Sequence, residues 1–350
     1  MRALVTGASG FVGSALCRAL VAAGHTVIGL TRDPTRARAR VGAGPSLTQG
    51  SIATPREVAE AASGCELLFH AAGIGTPLAP ARVLRWVHVA GTENVLRAAR
   101  FAGLRRVVYI SCADVSLSEG DRMHWDEKRA LPERPIGPHA ESKQMAEELA
   151  LAASDDTLEV TALRPALLWG PDDVDGLARI VQSVRRAEFT LYGGGRNIVA
   201  TTHIDNLVKA ALLAAHAPLA PARAYYVGDG EFLEAREFYT RLFSALGLPP
   251  PKLSGSLPLA LARARARELF RENKGAERAQ LLRLGQSALF DVSRATHDLG
   301  CEAQIDLAAR FDELAAWVKS SGGLDALLAR QRPEPQLADV DAQVKAAGGD

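Results

Sequence analysis

Thr6-Gly7-Ala8-Ser9-Gly10-Phe11-Val12-Gly13 follows a short apolar run, Ala3-Leu4-Val5, and leads into a segment with apolar residues at Val12, Ala15, Leu16, Leu20 and Val21. The order is strand, glycine-rich loop, helix, and each glycine has its own reason to be there. Gly7 permits the tight turn off the strand, Gly10 presents no Cβ to an approaching pyrophosphate, and Gly13 lets the helix pack closely on the sheet. A helix start also offers unpaired N–H groups and a positive dipole end to phosphate. A bare turn would explain three glycines equally well. It would not explain why strand, loop and helix come in this order, so Thr6, Gly7, Ser9, Gly10, Phe11, Val12 and Gly13 read as a dinucleotide cradle.

Outward from the cradle the chain alternates. The first helix stops at Gly24 and a second strand, His25 to Leu30, ends in Thr31-Arg32-Asp33-Pro34. An acid after this strand grips a ribose 2′-hydroxyl, whereas a base accommodates a 2′-phosphate. Arg32, backed by Arg36, Arg38 and Arg40, favours NADP(H) over NAD(H); Asp33 leaves an NAD ribose open, and a solvated basic helix face is the bland reading. Pro55 to Ser63 reads as a short helix. Glu66 to Gly73 reads as a strand whose end, Ala71-Ala72-Gly73, covers the cofactor, with His70 simply part of that strand end. A helix from about Leu84 to Phe101 and a strand Val107 to Ile110 follow, ending at Ser111-Cys112-Ala113-Asp114. Such alternation implies an α/β fold, a Rossmann-type doubly wound parallel sheet whose strand ends face the ligand.

A polar loop, Ser116 to Pro138, delivers the chain into a helix from His139 to about Ala153. Residues four apart share a helix face, so His139 and Lys143 point the same way. The strand Val160 to Leu163 then runs into Arg164-Pro165. Beyond it the alternation loosens, which places the dinucleotide-binding domain mainly in 1–165 and a smaller C-terminal substrate lobe mainly in 166–330, with segments returning to the Rossmann core. Tyr192 to Gly195 reads as a turn, and Thr202 or Asp205 as the cap of a helix start. Residues 257–271, with Arg263, Arg265, Arg267 and Arg271, read first as a core-facing helix with a solvated arginine face. Peripheral membrane contact is the alternative there. Residues 332–350 read as a disordered tail.

The bulk numbers exclude several classes. With 47% hydrophobic residues among 350, the chain can bury a full α/β core and a second lobe. Forty-one Lys and Arg against forty Asp and Glu leave no overall field for nucleic acid. Cys17, Cys65, Cys112 and Cys301 form no Cys-x-x-Cys pair, so no metal centre or disulfide framework is expected. A cytoplasmic setting fits best, with no leader, no apolar run long enough to span a bilayer, and a homodimer compatible with the reading.

Taken together, Thr6 to Gly13, Val89 to Leu96, Ser142-Lys143, Leu163 to Pro165 with Trp169-Gly170-Pro171, Thr202 to Leu207 and Tyr226 to Glu231 resemble the extended short-chain dehydrogenase/reductases. Within them the chain is similar to the 3β-hydroxysteroid dehydrogenase-like and NAD-dependent epimerase/dehydratase-like branch, over roughly residues 1 to 320. The resemblance implies an NAD(P)-dependent oxidoreductase interconverting a carbonyl and a secondary alcohol on an apolar molecule, a keto acid or sterol-like compound. It places Lys143 on the nicotinamide ribose and Pro165 beside the cofactor. It also exposes departures. The family's proton-handling tyrosine is His139, its oxygen-binding serine is Cys112 with Ser111 adjacent, its asparagine before Val89 is His88, and the aspartate expected near the adenine is Ser51. An active enzyme in which His139 replaces tyrosine is expected to lose reductive activity as pH rises. A nearby ammonium should keep that imidazole neutral. A catalytically silent dinucleotide-binding protein and an epimerase or dehydratase are the alternatives. Cys112–His139 nucleophilic chemistry ranks below them, because no third member is identifiable from sequence.

Overall fold

The computed structural model describes residues 1–218, 222–270, 273–303 and 305–331. Arg271 and the segment 332–350, read above as a tail, lie outside the described residues. Seven parallel strands form the central sheet: β1 (Arg2–Thr6), β2 (Thr26–Thr31), β3 (Ser46–Gln49), β4 (Leu67–His70), β5 (Arg106–Ile110), β6 (Glu159–Pro165) and β7 (Arg223–Val227). Their order is β7-β6-β5-β4-β1-β2-β3. The direction of winding therefore reverses between β1 and β4, the switch point at which such sheets open a crevice for a ligand.

Successive side chains of a strand point to opposite faces, and the two halves of the core follow from that. Ala3 and Val5 join the layer of α1 (Phe11–Ala22), with Leu16 and Leu20, whereas Leu4 joins the opposite layer with Val58 of α3 (Pro55–Ala62). Between these helices, α2 (Pro34–Val41) is capped by Asp33, which accepts the Arg36 N–H at 2.9 Å. The helix expected from Leu84 begins earlier. It comprises α4 (Ala81–Arg85), a π-turn over Trp86–Ala90 and α5 (Gly91–Phe101). The π-turn carries His88, and such bulges frequently sit at functional sites. Next come α6 (Pro138–Ala152) on the α5 side and, after β6, α7 (Ile204–His216) on the α1 side. Both α7 and β7 belong to the central layers, although they follow residue 166. A separate cluster of buried residues follows residue 166, built on Trp169, Leu177, Phe238, Phe243, Phe311 and Leu314.

Two local expectations change. The loop Ser116 to Pro138 contains a strand, Arg122–Trp125, paired in parallel with Ala288–Phe290. Its partner lies far along the chain, so no local pattern announces it. Neither Thr202 nor Asp205 caps α7; His203 does, its Nδ1 accepting the Asp205 N–H at 3.3 Å. Thr202 is already committed, donating its hydroxyl to Val227 O and accepting the Ala166 N–H at 2.9 Å, while Asp205 sits inside the first turn.

Candidate functional site: a glycine cradle beside a histidine–lysine pair

The cradle lies at the switch point. Gly7 has φ +72°, and a Cβ there would meet the Ala72 Cα at 2.8 Å. A Cβ on Gly13 would lie 2.1 Å from the Gly7 carbonyl oxygen, so α1 can approach the loop only with glycine at that position. Thr6 ties the two crevice walls together. Its Oγ1 accepts the Ala72 N–H at 3.2 Å and lies 2.8 Å from His70 Nδ1, whose other nitrogen is 3.0 Å from Thr92 Oγ1. His70 is thus a satisfied structural histidine, pulled down to about 3 by burial and then by Lys143. Gly10 precedes α1 without any side-chain cap, so the first N–H groups of the helix are left for an anion. The residues present therefore fit a dinucleotide pyrophosphate.

At the ribose end the arginines separate. Arg38 donates to the Gly42 and Pro45 carbonyls at 2.6 and 3.0 Å, Arg36 to the Arg330 carbonyl at 3.3 Å, and Arg40 to the Ser9 carbonyl at 3.1 Å and the Asp172 carbonyl. Arg32 is exposed, and its guanidinium has no hydrogen-bond or ion-pair partner among the described residues. Asp33 is held by its capping bond.

The chemical end is built by α6 and the end of β5. A glycine with φ +95°, Gly137, turns the chain into Pro138, and α6 then sets His139 and Lys143 on one face. Lys143 is 7% exposed; its Nζ donates to the Ile110 carbonyl at 2.7 Å and lies 4.5 Å from the Tyr109 ring centroid. An ammonium has three donors, so two stay available for ribose hydroxyls. Burial brings the Lys143 ammonium down to about 8, with Cys112 and Glu147 acting in the other direction. His139 falls to about 3, first through burial, then through Arg283 and, further down, Lys143, with Asp114 opposing. The imidazole is neutral, as expected, but the ammonium is not the main reason. His139 Nδ1 and Ser111 Oγ are buried without a hydrogen-bond partner among the described residues. The Cys112 thiol is pushed up to about 12 by burial and the Asp114 carboxylate, so it is neither a nucleophile nor a good oxyanion donor at neutral pH.

Four residues of this cluster had no role assigned from sequence; His88, Ser142 and Asp114 stood within the motifs noted above, and Arg283 was not noted at all. His88 accepts the Ile74 N–H on Nε2 at 3.1 Å, which leaves the proton on Nδ1 to reach Ser142 Oγ at 2.8 Å. Ser142 then donates to the His139 carbonyl at 3.0 Å, and the two histidine rings meet edge to face with centroids 5.4 Å apart. His88 thereby pins the 73–76 loop to α6. Asp114 supplies the third group that Cys112 and His139 lacked: ligand atoms of all three lie within 4.8 Å of one another. Its carboxylate, however, is held by Arg283 Nε at 2.6 Å, a residue from the helix Ala276–Gly285. Burial alone would raise the Asp114 carboxyl, and Arg283 and Arg122 reverse that and hold it below its ordinary value. Nothing local marks Arg283, which arrives from far along the chain. Pro165 ends β6 next to Arg164, whose guanidinium is locked bidentate on buried Glu147 at 3.0 and 3.1 Å from Nε.

Residues 3–228 match the family model described as NAD dependent epimerase/dehydratase family. A 4-hydroxy-2-methyl-3-oxo-4-farnesyl-3,4-dihydroquinoline-1-oxide ketoreductase of Stigmatella aurantiaca is 33% identical over 322 residues, covering 90% of this chain and 96% of its own. A 2-alkyl-3-oxoalkanoate reductase of Stenotrophomonas maltophilia is 37% identical over 259 residues, 71% of this chain and 77% of its own. Among solved structures, MoeE5 in complex with UDP-glucuronic acid and NAD superposes with a TM-score of 0.72 at 25% identity, over 92% of this chain and 100% of that one. No helix among the described residues is long and apolar enough to cross a membrane. The chain belongs to the NAD-dependent epimerase/dehydratase family of extended short-chain dehydrogenase/reductases and is an oxidoreductase.

Proposed function

We propose that the protein reduces a ketone on an apolar molecule to a secondary alcohol, with NADP(H) preferred over NAD(H), and that Lys143 and His139 together handle the proton. The observation that carries this reading is the meeting of His139 and Lys143 on α6 with Ser111 and Cys112 at the end of β5, beside the glycine cradle. The bound dinucleotide supplies the hydride. Of the groups at the site, Lys143, at about 8, is populated as an acid at neutral pH and still able to release a proton. His139, at about 3, is a neutral hydrogen-bonding group that orients the substrate oxygen and relays, rather than an acid in its own right. The unpartnered Ser111 hydroxyl serves the developing oxyanion better than the Cys112 thiol. The unengaged Arg32 is the 2′-phosphate partner that supports the NADP(H) preference.

Two relatives are named for reduction of oxo groups on molecules with farnesyl or alkyl substituents, which supports an apolar ketone substrate here. A cytoplasmic location agrees with four free cysteines. On the helix Leu257–Glu268 and just beyond it, Arg265 and Arg267 are paired with Glu119 and Glu277, while Leu259, Leu269 and Phe270 are exposed. Contact of this segment with a membrane, like a homodimer, stays a proposal. The silent-protein reading has one observation in its favour, the absence of a phenol at position 139. Titration with NADPH and NADH, followed by a panel of alkyl ketones and 3-oxo acids, separates the two readings. Oxidation of NADPH that drops at least tenfold in His139→Ala, with nucleotide binding kept, supports the enzyme. Binding without oxidation across the panel supports the silent protein.

A further inference from the structure

Of the residues of the helix Leu257–Glu268 only Ala264 is buried, with Leu261 beside it against a small cluster of Leu117, Ala140, Ala279 and Leu282. Leu259, Ala262, Ala266 and Leu269 recur at i, i+3, i+7 and i+10, a single stripe on the side away from Ala264. All four are exposed, Leu259 by 51% and Leu269 by 77%, and Phe270, just past the helix, is 91% exposed. A stripe with this spacing ordinarily turns to a core; here it turns outward. Arginines edge it on both sides. Arg263 and Arg267, four apart, form one rim, and Arg265 stands on the other. Arg265 and Arg267 reach Glu119 and Glu277, whereas Arg263 is exposed and has no ion pair among the described residues.

We propose that this face docks on an anionic lipid bilayer, with Leu259, Leu269 and Phe270 entering the interface and the arginine rims meeting lipid phosphates. An apolar stripe edged by arginines is what a helix lying flat in a bilayer interface presents. A second copy of the chain fits worse, because a two-fold contact through this stripe sets arginine against arginine. The helix is also fastened to the catalytic end of the molecule. Leu261 packs with Ala140, the neighbour of His139, and the following helix Ala276–Gly285 carries Arg283 to Asp114. Between the two helices Asn273 accepts the Ala81 N–H at 3.1 Å and donates to the Leu78 and Ala79 carbonyls at 3.2 and 2.9 Å, which ties the hairpin to the start of α4. Docking therefore sets the site against the phase in which an apolar ketone dissolves. Only that last step rests on the proposed reaction; vesicle binding is measured without turnover.

The test is co-flotation of the full chain with vesicles of phosphatidylcholine alone or mixed with phosphatidylglycerol. Wild type is expected to bind the mixed vesicles at least tenfold more tightly than the neutral ones. Leu269→Ser combined with Phe270→Ser should weaken binding to the mixed vesicles at least tenfold. Both side chains are exposed, so the melting temperature should not move. Arg263→Gln should weaken binding to the mixed vesicles about fivefold and leave the neutral ones unchanged. Phe101→Ser, which removes an equally exposed ring at the end of α5, should change nothing. Wild type that floats with neither vesicle, or a Phe101→Ser loss as large as that of the double variant, overturns the surface. A wild-type dimer that the double variant splits, without vesicle binding, assigns the face to a second copy and overturns the bilayer. Ketone reduction without vesicle binding overturns the surface and spares the reaction; vesicle binding with the expected pattern supports the surface even where no ketone is reduced.

Discussion

Replacing Lys143 with methionine should stabilise the protein at pH 7 and cease to do so in alkali. The folded-state value of Lys143 is about 8 against an ordinary 10.5. A base with a lowered value binds its proton less readily in the folded than in the unfolded chain. The penalty is therefore fully present below pH 8, shrinks as pH rises, and is gone above 10.5. At about 1.4 kcal/mol per unit it amounts to about 3 kcal/mol at neutral pH. Against this, the variant strands the Ile110 carbonyl that accepts from Nζ, a loss of about 1 kcal/mol. Methionine keeps the apolar stem and places sulfur near the Tyr109 ring, a favourable contact that should hold the packing roughly even. The net expectation is about 2 kcal/mol of added stability at pH 7, falling to about zero near pH 9.5. Urea unfolding of both proteins without cofactor, at the two pH values, gives the comparison. A variant less stable than wild type at pH 7, or a difference independent of pH, would refute the claim that Lys143 is held against its own desolvation for function.

Other perturbations have equally definite outcomes. Gly13→Ala places a Cβ 2.1 Å from the Gly7 carbonyl oxygen and should abolish measurable NADPH and NADH binding by fluorescence titration. Arg32→Ala should weaken NADPH at least tenfold and leave NADH within about twofold, since one charge-assisted phosphate contact is worth about 1.5–3 kcal/mol. Glu147→Gln leaves Arg164 buried with its partner neutralised, and should lower unfolding free energy by about 3 kcal/mol in a denaturant titration.

How much of this was visible in the chain depends on distance along it. Strand, loop and helix at Thr6 to Gly13 are local, and local patterns also placed β4, β5 and α6 to within a few residues. The i, i+4 relation of His139 and Lys143 survived for the same reason. What the sequence concealed was assembled from afar: the strand Arg122–Trp125 exists only because Ala288–Phe290 pairs with it, and Arg283 reaches Asp114 from a helix more than 160 residues further along the chain. That arginine, remote in sequence, changes the chemistry. It depresses His139 more than Lys143 does, so the neutrality of the imidazole was foreseeable but its cause was not. The arginine series after β2 looked like one basic face; carbonyl partners of Arg36, Arg38 and Arg40, two of them well beyond the next strand, leave Arg32 standing apart.

The most direct test is the pH dependence of NADPH-driven ketone reduction at saturating substrate. With Lys143 as the acid at about 8, the rate should be level below that value and fall about tenfold per unit above it, and Lys143→Met should be at least a hundredfold slower across the range. A rate that rises with pH, or the same profile in Lys143→Met as in wild type, would contradict the assignment.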